Sequence, residues 1–81
     1  QGGISGTVID VRIILKAALE KGASSIILCH NHPSGTLQPS DADLKITRKI
    51  NEAAKIMDIS VLDHVIIGDQ KYYSFADEGM L

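Results

Sequence analysis

Two histidines, a serine and an aspartate lie close together near the middle of the chain, as His30, His32, Ser40 and Asp43. The residues before them, 23–29, form a short apolar run of strand length, and we expect a strand that continues into the histidines. Alternate side chains of a strand share a face, so the two imidazoles should project the same way, about 7 Å apart. Such a pair can bind one metal ion.

Asp43 falls within a segment, residues 40–58, whose periodicity predicts an amphipathic helix. Its position is the middle of the apolar stripe, which is made by Ile46, Ile50, Ala54 and Met57. A carboxylate on a buried face is costly unless a cation lies beside it. Two imidazoles and one carboxylate are the protein ligand set that leaves zinc a fourth position for water. The sequence therefore predicts a zinc site at His30, His32 and Asp43.

Ser40 has two interpretations that do not exclude each other. Ser40 and Asp43 are spaced as a capping box, which predicts Ser40 as the N-cap of the helix. A hydroxyl at a helix N-terminus, next to a metal site, could also stabilise a developing oxyanion, which would make Ser40 catalytic.

The spacing His-x-His, seven residues, Ser, two residues, Asp resembles the motif of the JAMM metalloproteases. Further segments resemble the RadC-type bacterial branch of that family, historically labelled DNA repair proteins: Gly6-Thr7, residues 30–35, Pro39-Ser40, Asp63-His64 with Ile66-Ile67-Gly68, and Ser74-Phe75. The resemblance implies a hydrolase of peptide or isopeptide bonds, in a fold related to the cytidine deaminases. It implies a peptide or protein substrate, zinc ligands at His30, His32 and Asp43, and an oxyanion stabiliser at Ser40.

One element of the JAMM pattern is missing, namely an upstream glutamate that acts as general base. Glu20 is predicted to face solvent, and Glu52 lies on the side of its helix opposite Asp43. The resemblance places the motif glutamate on strands that precede Gln1. We therefore expect one domain over residues 1–81 that lacks its N-terminal strands, with turnover lowered by about 10²–10⁴.

Composition restricts the alternatives. The chain has 81 residues, 44% hydrophobic and 22% charged, which is typical of one soluble globular domain. A net charge of −2 and the lack of a Lys/Arg stripe do not favour nucleic acid as a partner. A single cysteine, no apolar run of membrane length and no signal-peptide pattern predict a cytoplasmic protein. An exposed sheet edge or apolar face in so short a chain makes a homodimer an expectation.

The predicted order is strand 1–9, helix 11–21, the histidine-bearing strand, helix 40–58, strand 59–67 and, after a turn at 68–70, strand 71–75, followed by a tail. This β-α-β-α-β-β pattern indicates an α/β domain with helices flanking a mixed sheet. Asp10 is a predicted N-cap, Arg12 a solvated flank and Cys29 a packing residue. His64 is either a hydrogen-bonding partner of a metal ligand or a structural core residue, and we favour the structural role. The competing hypotheses are a zinc hydrolase, a non-catalytic module for DNA repair or partner binding, and a plain structural domain.

Overall fold

The structure, a computed structural model, describes residues 10–32 and 36–81. Within them the element order is α1 (Val11–Glu20), β1 (Ser25–Asn31), α2 (Asp41–Ile56), β2 (Ser60–Ile67) and β3 (Tyr72–Ser74). The α/β class and mixed sheet predicted from the sequence are confirmed. The strand predicted for residues 1–9, and the start of the loop after His32, lie outside the described residues.

The sheet has the order β1-β2-β3, with β1 and β2 parallel and β2 and β3 antiparallel. Two parallel neighbours need a crossover, and α2 supplies it. The antiparallel pair is joined by a tight turn in which the backbone N–H of Gly68 donates to the carbonyl of Lys71 at 2.9 Å. Because β1 and β2 are parallel, their C-terminal ends lie side by side. The candidate histidines lie at this end of β1.

Each helix begins at a side-chain cap. The Asp10 carboxylate accepts the backbone N–H of Arg12, as predicted, and α1 ends before Gly22, whose φ of +65° suits a residue without a Cβ. The Arg12 side chain is 91% exposed and forms an ion pair with Asp10. Arg12 is therefore a solvated flank, as the sequence predicts.

Apolar side chains of the two helices share one core with strands β1 and β2. Its buried members are Val11, Leu15, Ala18, Ile50, Ala54, Ile59 and Val61. The stripe predicted for α2 is correct at Ile50 and Ala54 but wrong at Met57, which is 37% exposed because it caps the C-terminus of the helix. Thr47, which the pattern omitted, is buried at 2% exposure.

A second buried group lies nearer the candidate site and contains Phe75, Ile66, His64 and Thr47. The opposite face of the sheet exposes Ile27, Ile67 and Tyr72. Cys29 belongs to this face and is exposed, so its predicted packing role is wrong. The homodimer remains a prediction. The tail predicted after residue 75 instead forms a turn, in which Met80 N–H donates to the Phe75 carbonyl at 2.8 Å.

Candidate metal centre

The beginning of α2 fixes the candidate aspartate. The Ser40 hydroxyl accepts the backbone N–H of Asp43 at 3.1 Å, and Asp43 Oδ2 accepts the backbone N–H of Ser40 at 2.8 Å. This reciprocal pair is a capping box, so the predicted N-cap role of Ser40 is confirmed. It also holds the Asp43 side chain, 15% exposed, in one orientation.

Both candidate histidines face that carboxylate from the end of β1. His30 Nε2 lies 3.7 Å from Asp43 Oδ1, and His32 Nε2 lies 3.2 Å from Asp43 Oδ2. The two imidazole centroids are 4.7 Å apart. One ligand atom from each of the three residues lies within 4.8 Å of the others. The structure therefore brings together the residues that the sequence singled out.

The other ring nitrogens of these histidines are already engaged. His32 Nδ1 lies 3.1 Å from the carbonyl oxygen of Thr36 and must donate to it, because a carbonyl only accepts. His30 Nδ1 lies 2.8 Å from Nε2 of His64. In each ring the Nε2 atom is left to face Asp43.

The charge states favour a cation between these groups. Burial lowers the pKa of His30, against the attraction of Asp43, so that ring is neutral at pH 7. Burial alone would raise the pKa of Asp43, but the hydrogen bonds with Ser40, together with the neighbouring His30 and His32, outweigh it and lower that pKa, so the group is a carboxylate.

Two imidazole nitrogens and a carboxylate thus converge on one point. A proton on one nitrogen would link only two of the three, whereas a metal ion satisfies all of them. A nitrogen–nitrogen–oxygen donor set fits zinc.

The third histidine of the chain joins this cluster from β2. His64 is 2% exposed and stacks on Phe75, with ring centroids 4.6 Å apart. Burial, together with the neighbouring His30, lowers the pKa of His64 to about 4, so it is neutral. The predicted core position is correct, and the contact with His30 agrees with the alternative role as a partner of a metal ligand.

A β-bulge turns His64 toward His30, which regular strand alternation does not predict. In the register of β1 with β2, Ile26 pairs with Val61 and Ile27 with Asp63, so Leu62 is an extra residue. Regular alternation from the buried Val61 would turn Asp63 inward, whereas the bulge turns His64 inward instead. The sequence contains one signal for this role, namely that His64 is the only histidine of the chain besides His30 and His32.

The remaining candidates do not join the cluster. Ser40 Oγ accepts the backbone N–H of Asp43, so its hydroxyl lies beside the candidate aspartate and is not one of the converging ligand atoms. Glu20, Glu52 and Glu78 are exposed, and none belongs to the group of converging ligand atoms found among the described residues. In the same part of the chain, no helix is long and apolar enough to span a membrane.

Fold and site together define a small α/β domain of the JAB/MPN type with a candidate metal centre at a strand end. The chain matches the RadC-like JAB domain family over residues 1–80, and it belongs to that family. The resemblance noted from the sequence is thereby confirmed.

Three relatives, all called UPF0758 protein, are similar over nearly the whole chain. The one from Flavobacterium johnsoniae is 59% identical over 99% of this chain and 35% of its own length. Those from Porphyromonas gingivalis and Nitrosococcus oceani are 50% and 48% identical, each over 100% of this chain and 36% of its own length. The chain thus spans about a third of the curated relatives it matches.

Proposed function

We propose that this domain is a zinc-dependent hydrolase of the JAMM type that acts on peptide or isopeptide bonds. The observation that supports it is the convergence of three acceptor atoms, from His30, His32 and Asp43, with ligand atoms within 4.8 Å of one another. Such a cluster is unfavourable without a cation and matches the ligand set of catalytic zinc.

The protein groups have separate tasks in this proposal. His30, His32 and Asp43 hold the ion, and the capping box with Ser40 keeps the carboxylate oriented toward it. A zinc ion held by three protein ligands lowers the pKa of a coordinated water and polarises a carbonyl. The hydroxyl of Ser40, whose oxygen already accepts a backbone N–H, donates its hydrogen to the substrate carbonyl oxygen as negative charge develops there.

Proton abstraction from the attacking water requires a base. None of the chain's glutamates belongs to the cluster of described residues, and we expect the base to be absent from this stretch of the protein. Losing a general base lowers the rate by about 10²–10⁴. Metal binding is therefore the sharper test of the proposal, and turnover the weaker one.

The first experiment measures zinc bound after gel filtration. We expect about one zinc per wild-type chain and none in His32→Ala. Asn31→Ala is the matched control, because Asn31 is the adjacent, exposed residue and projects the opposite way. A zinc content that His32→Ala leaves unchanged would refute the proposal.

The second experiment tests Ser40 on zinc-loaded protein, with a fluorogenic peptide and an isopeptide-linked peptide as probes. Ser40→Gly costs the helix cap only a few tenths of a kcal/mol but removes the hydroxyl, and we expect it to lower kcat by about 10²–10³. Ser40→Thr, which keeps a hydroxyl, should restore most of the rate. Equal rates in the glycine and serine proteins would leave Ser40 with its capping role alone.

A further inference from the structure

A chain of hydrogen bonds runs behind the candidate metal centre and connects β1, β2 and α2. His30 Nδ1 lies 2.8 Å from His64 Nε2, and His64 Nδ1 lies 2.6 Å from Thr47 Oγ1. Thr47 Oγ1 lies 2.7 Å from the backbone carbonyl oxygen of Asp43. The chain thus begins at one candidate ligand and ends at the backbone of another.

The direction of every hydrogen bond in this series follows from the last acceptor, the backbone carbonyl of Asp43. The carbonyl of Asp43 can only accept, so Thr47 must donate its single hydroxyl hydrogen to it. Thr47 Oγ1 can then only accept from His64, which places the proton of His64 on Nδ1. A neutral His64 with a proton on Nδ1 has a bare Nε2, which accepts from Nδ1 of His30. His30 is therefore left with a bare Nε2, the form that a metal requires.

From this geometry we infer that Thr47 and His64 are positioning residues that set the tautomer of His30 for metal binding. Neither residue needs to contact the ion. Together they hold the ring proton of His30 on Nδ1, as the carbonyl of Thr36 holds the ring proton of His32 on Nδ1. Both are 2% exposed, so water does not compete for these bonds. The inference rests on the proposed metal site for its purpose, but the tautomer itself is a property of the metal-free protein.

The critical variant is Thr47→Val, which keeps the shape of the side chain and removes the hydroxyl. His64 then has no acceptor for a proton on Nδ1 and takes the tautomer protonated on Nε2. That nitrogen donates to His30 Nδ1, which moves the proton of His30 to Nε2 and blocks the ligand atom. Thr47→Ser keeps the hydroxyl and should restore the wild-type arrangement.

The first readout is the ring-nitrogen spectrum of histidine-labelled, metal-free protein at neutral pH, using long-range proton–nitrogen correlations. We expect His30 to be protonated on Nδ1 in the wild type and in Thr47→Ser, and on Nε2 in Thr47→Val. The second readout is zinc affinity by competition with a chromophoric chelator. It should fall about 10–100-fold in Thr47→Val and remain near wild type in Thr47→Ser.

Two further variants separate positioning from folding. Ile59→Val removes a buried methylene just before β2, destabilises by about 0.5–1.5 kcal/mol, and should change neither readout. His64→Gln can still accept from His30 through its amide oxygen, whereas His64→Leu cannot, so only the leucine variant should lose zinc affinity.

The two ideas can fail separately. If wild-type His30 carries its proton on Nε2, or if Thr47→Val leaves both tautomer and affinity unchanged, the positioning role is wrong even in a protein that binds zinc. If the tautomers are as expected but the wild type binds no zinc, the proposed function fails while the hydrogen-bond chain stands.

Discussion

Asp43 and Asp63 have similar surroundings, but their hydrogen-bond partners differ. Each is partly buried, and in each the raising effect of burial on the pKa is outweighed by hydrogen bonds and neighbouring histidines, which together lower it. Asp63 accepts from the Ser74 hydroxyl at 2.6 Å and from the backbone N–H groups of His64 and Ala76 at 2.7 and 2.9 Å. Both of its oxygens are occupied by protein donors.

Asp43 accepts the backbone N–H of Ser40 through Oδ2, and its two oxygens lie 3.7 Å from His30 Nε2 and 3.2 Å from His32 Nε2. The serine partners also differ in direction. Ser74 donates its hydroxyl hydrogen to Asp63, whereas the Ser40 hydroxyl oxygen accepts the backbone N–H of Asp43. Asp63, whose oxygens both accept from protein donors, holds a hairpin together, whereas Asp43, beside two imidazole nitrogens, is placed to bind a cation.

The largest expected difference between the two aspartates is in metal affinity. Asp43→Asn keeps an amide oxygen for the Ser40 N–H but removes the negative charge, and we expect zinc affinity to fall by about 100-fold or more. Asp63→Asn makes the same chemical change on the other side of β2 and should leave affinity within about twofold. Chelator competition measures both, and an equal loss in the two variants would refute the assignment of separate roles.

The second difference is in stability, where the Asp63 variant should be affected more than the Asp43 variant. Asp63→Ala leaves the Ser74 hydroxyl and two backbone N–H groups without their acceptor, and should lower the free energy of unfolding by about 2–3 kcal/mol. Urea denaturation of the metal-free protein measures this loss. Asp43→Asn should lose less than about 1 kcal/mol under the same conditions, because its capping acceptor is retained. If Asp43→Asn were destabilised more than Asp63→Ala, the main role of Asp43 would be in folding.

The serine residues that contact the two aspartates should also differ in how much they contribute to stability, by smaller amounts. Ser74 is 5% exposed and its hydroxyl bonds a charged group, so Ser74→Ala should cost about 1.5–3 kcal/mol. Ser40 is an exposed N-cap, and Ser40→Ala should cost about 1 kcal/mol. Urea midpoints of the two variants test the order, and a reversed order would mean that the capping box carries more of the fold than the Asp63 hairpin.

Much of this architecture was predictable because it is local. The period of α2 placed Asp43 on the inward side, and the period of β1 placed His30 and His32 on one face. The capping box was readable from the spacing of Ser40 and Asp43. Each of these features depends on a few neighbouring residues, and for such features sequence patterns are informative.

The rest depends on register and on pairing between distant segments. The bulge at Leu62 turns His64 inward, and no alternation pattern contains it. Thr47 lies on the buried stripe, but a polar residue there becomes meaningful only when His64 is known to face it. The saturation of Asp63 likewise requires the β2–β3 pairing that brings Ser74 and Ala76 to it. These contacts form only after the sheet is assembled.

The smallest expected effect is the acid dependence of stability that Asp63 contributes. Its pKa in the folded protein lies below the ordinary value of 3.8, so the carboxylate is stabilised by folding. This contribution is complete above the unfolded value and is lost as the pH falls through the folded pKa, because the protonated acid cannot accept all of these bonds. Asp63→Asn cannot be protonated in this range, so its free energy of unfolding should fall less steeply with decreasing pH below about 4 than that of the wild type. Parallel urea titrations across that range measure the two slopes, and identical slopes would mean that the hydrogen bonds to Asp63 do not favour its charged form.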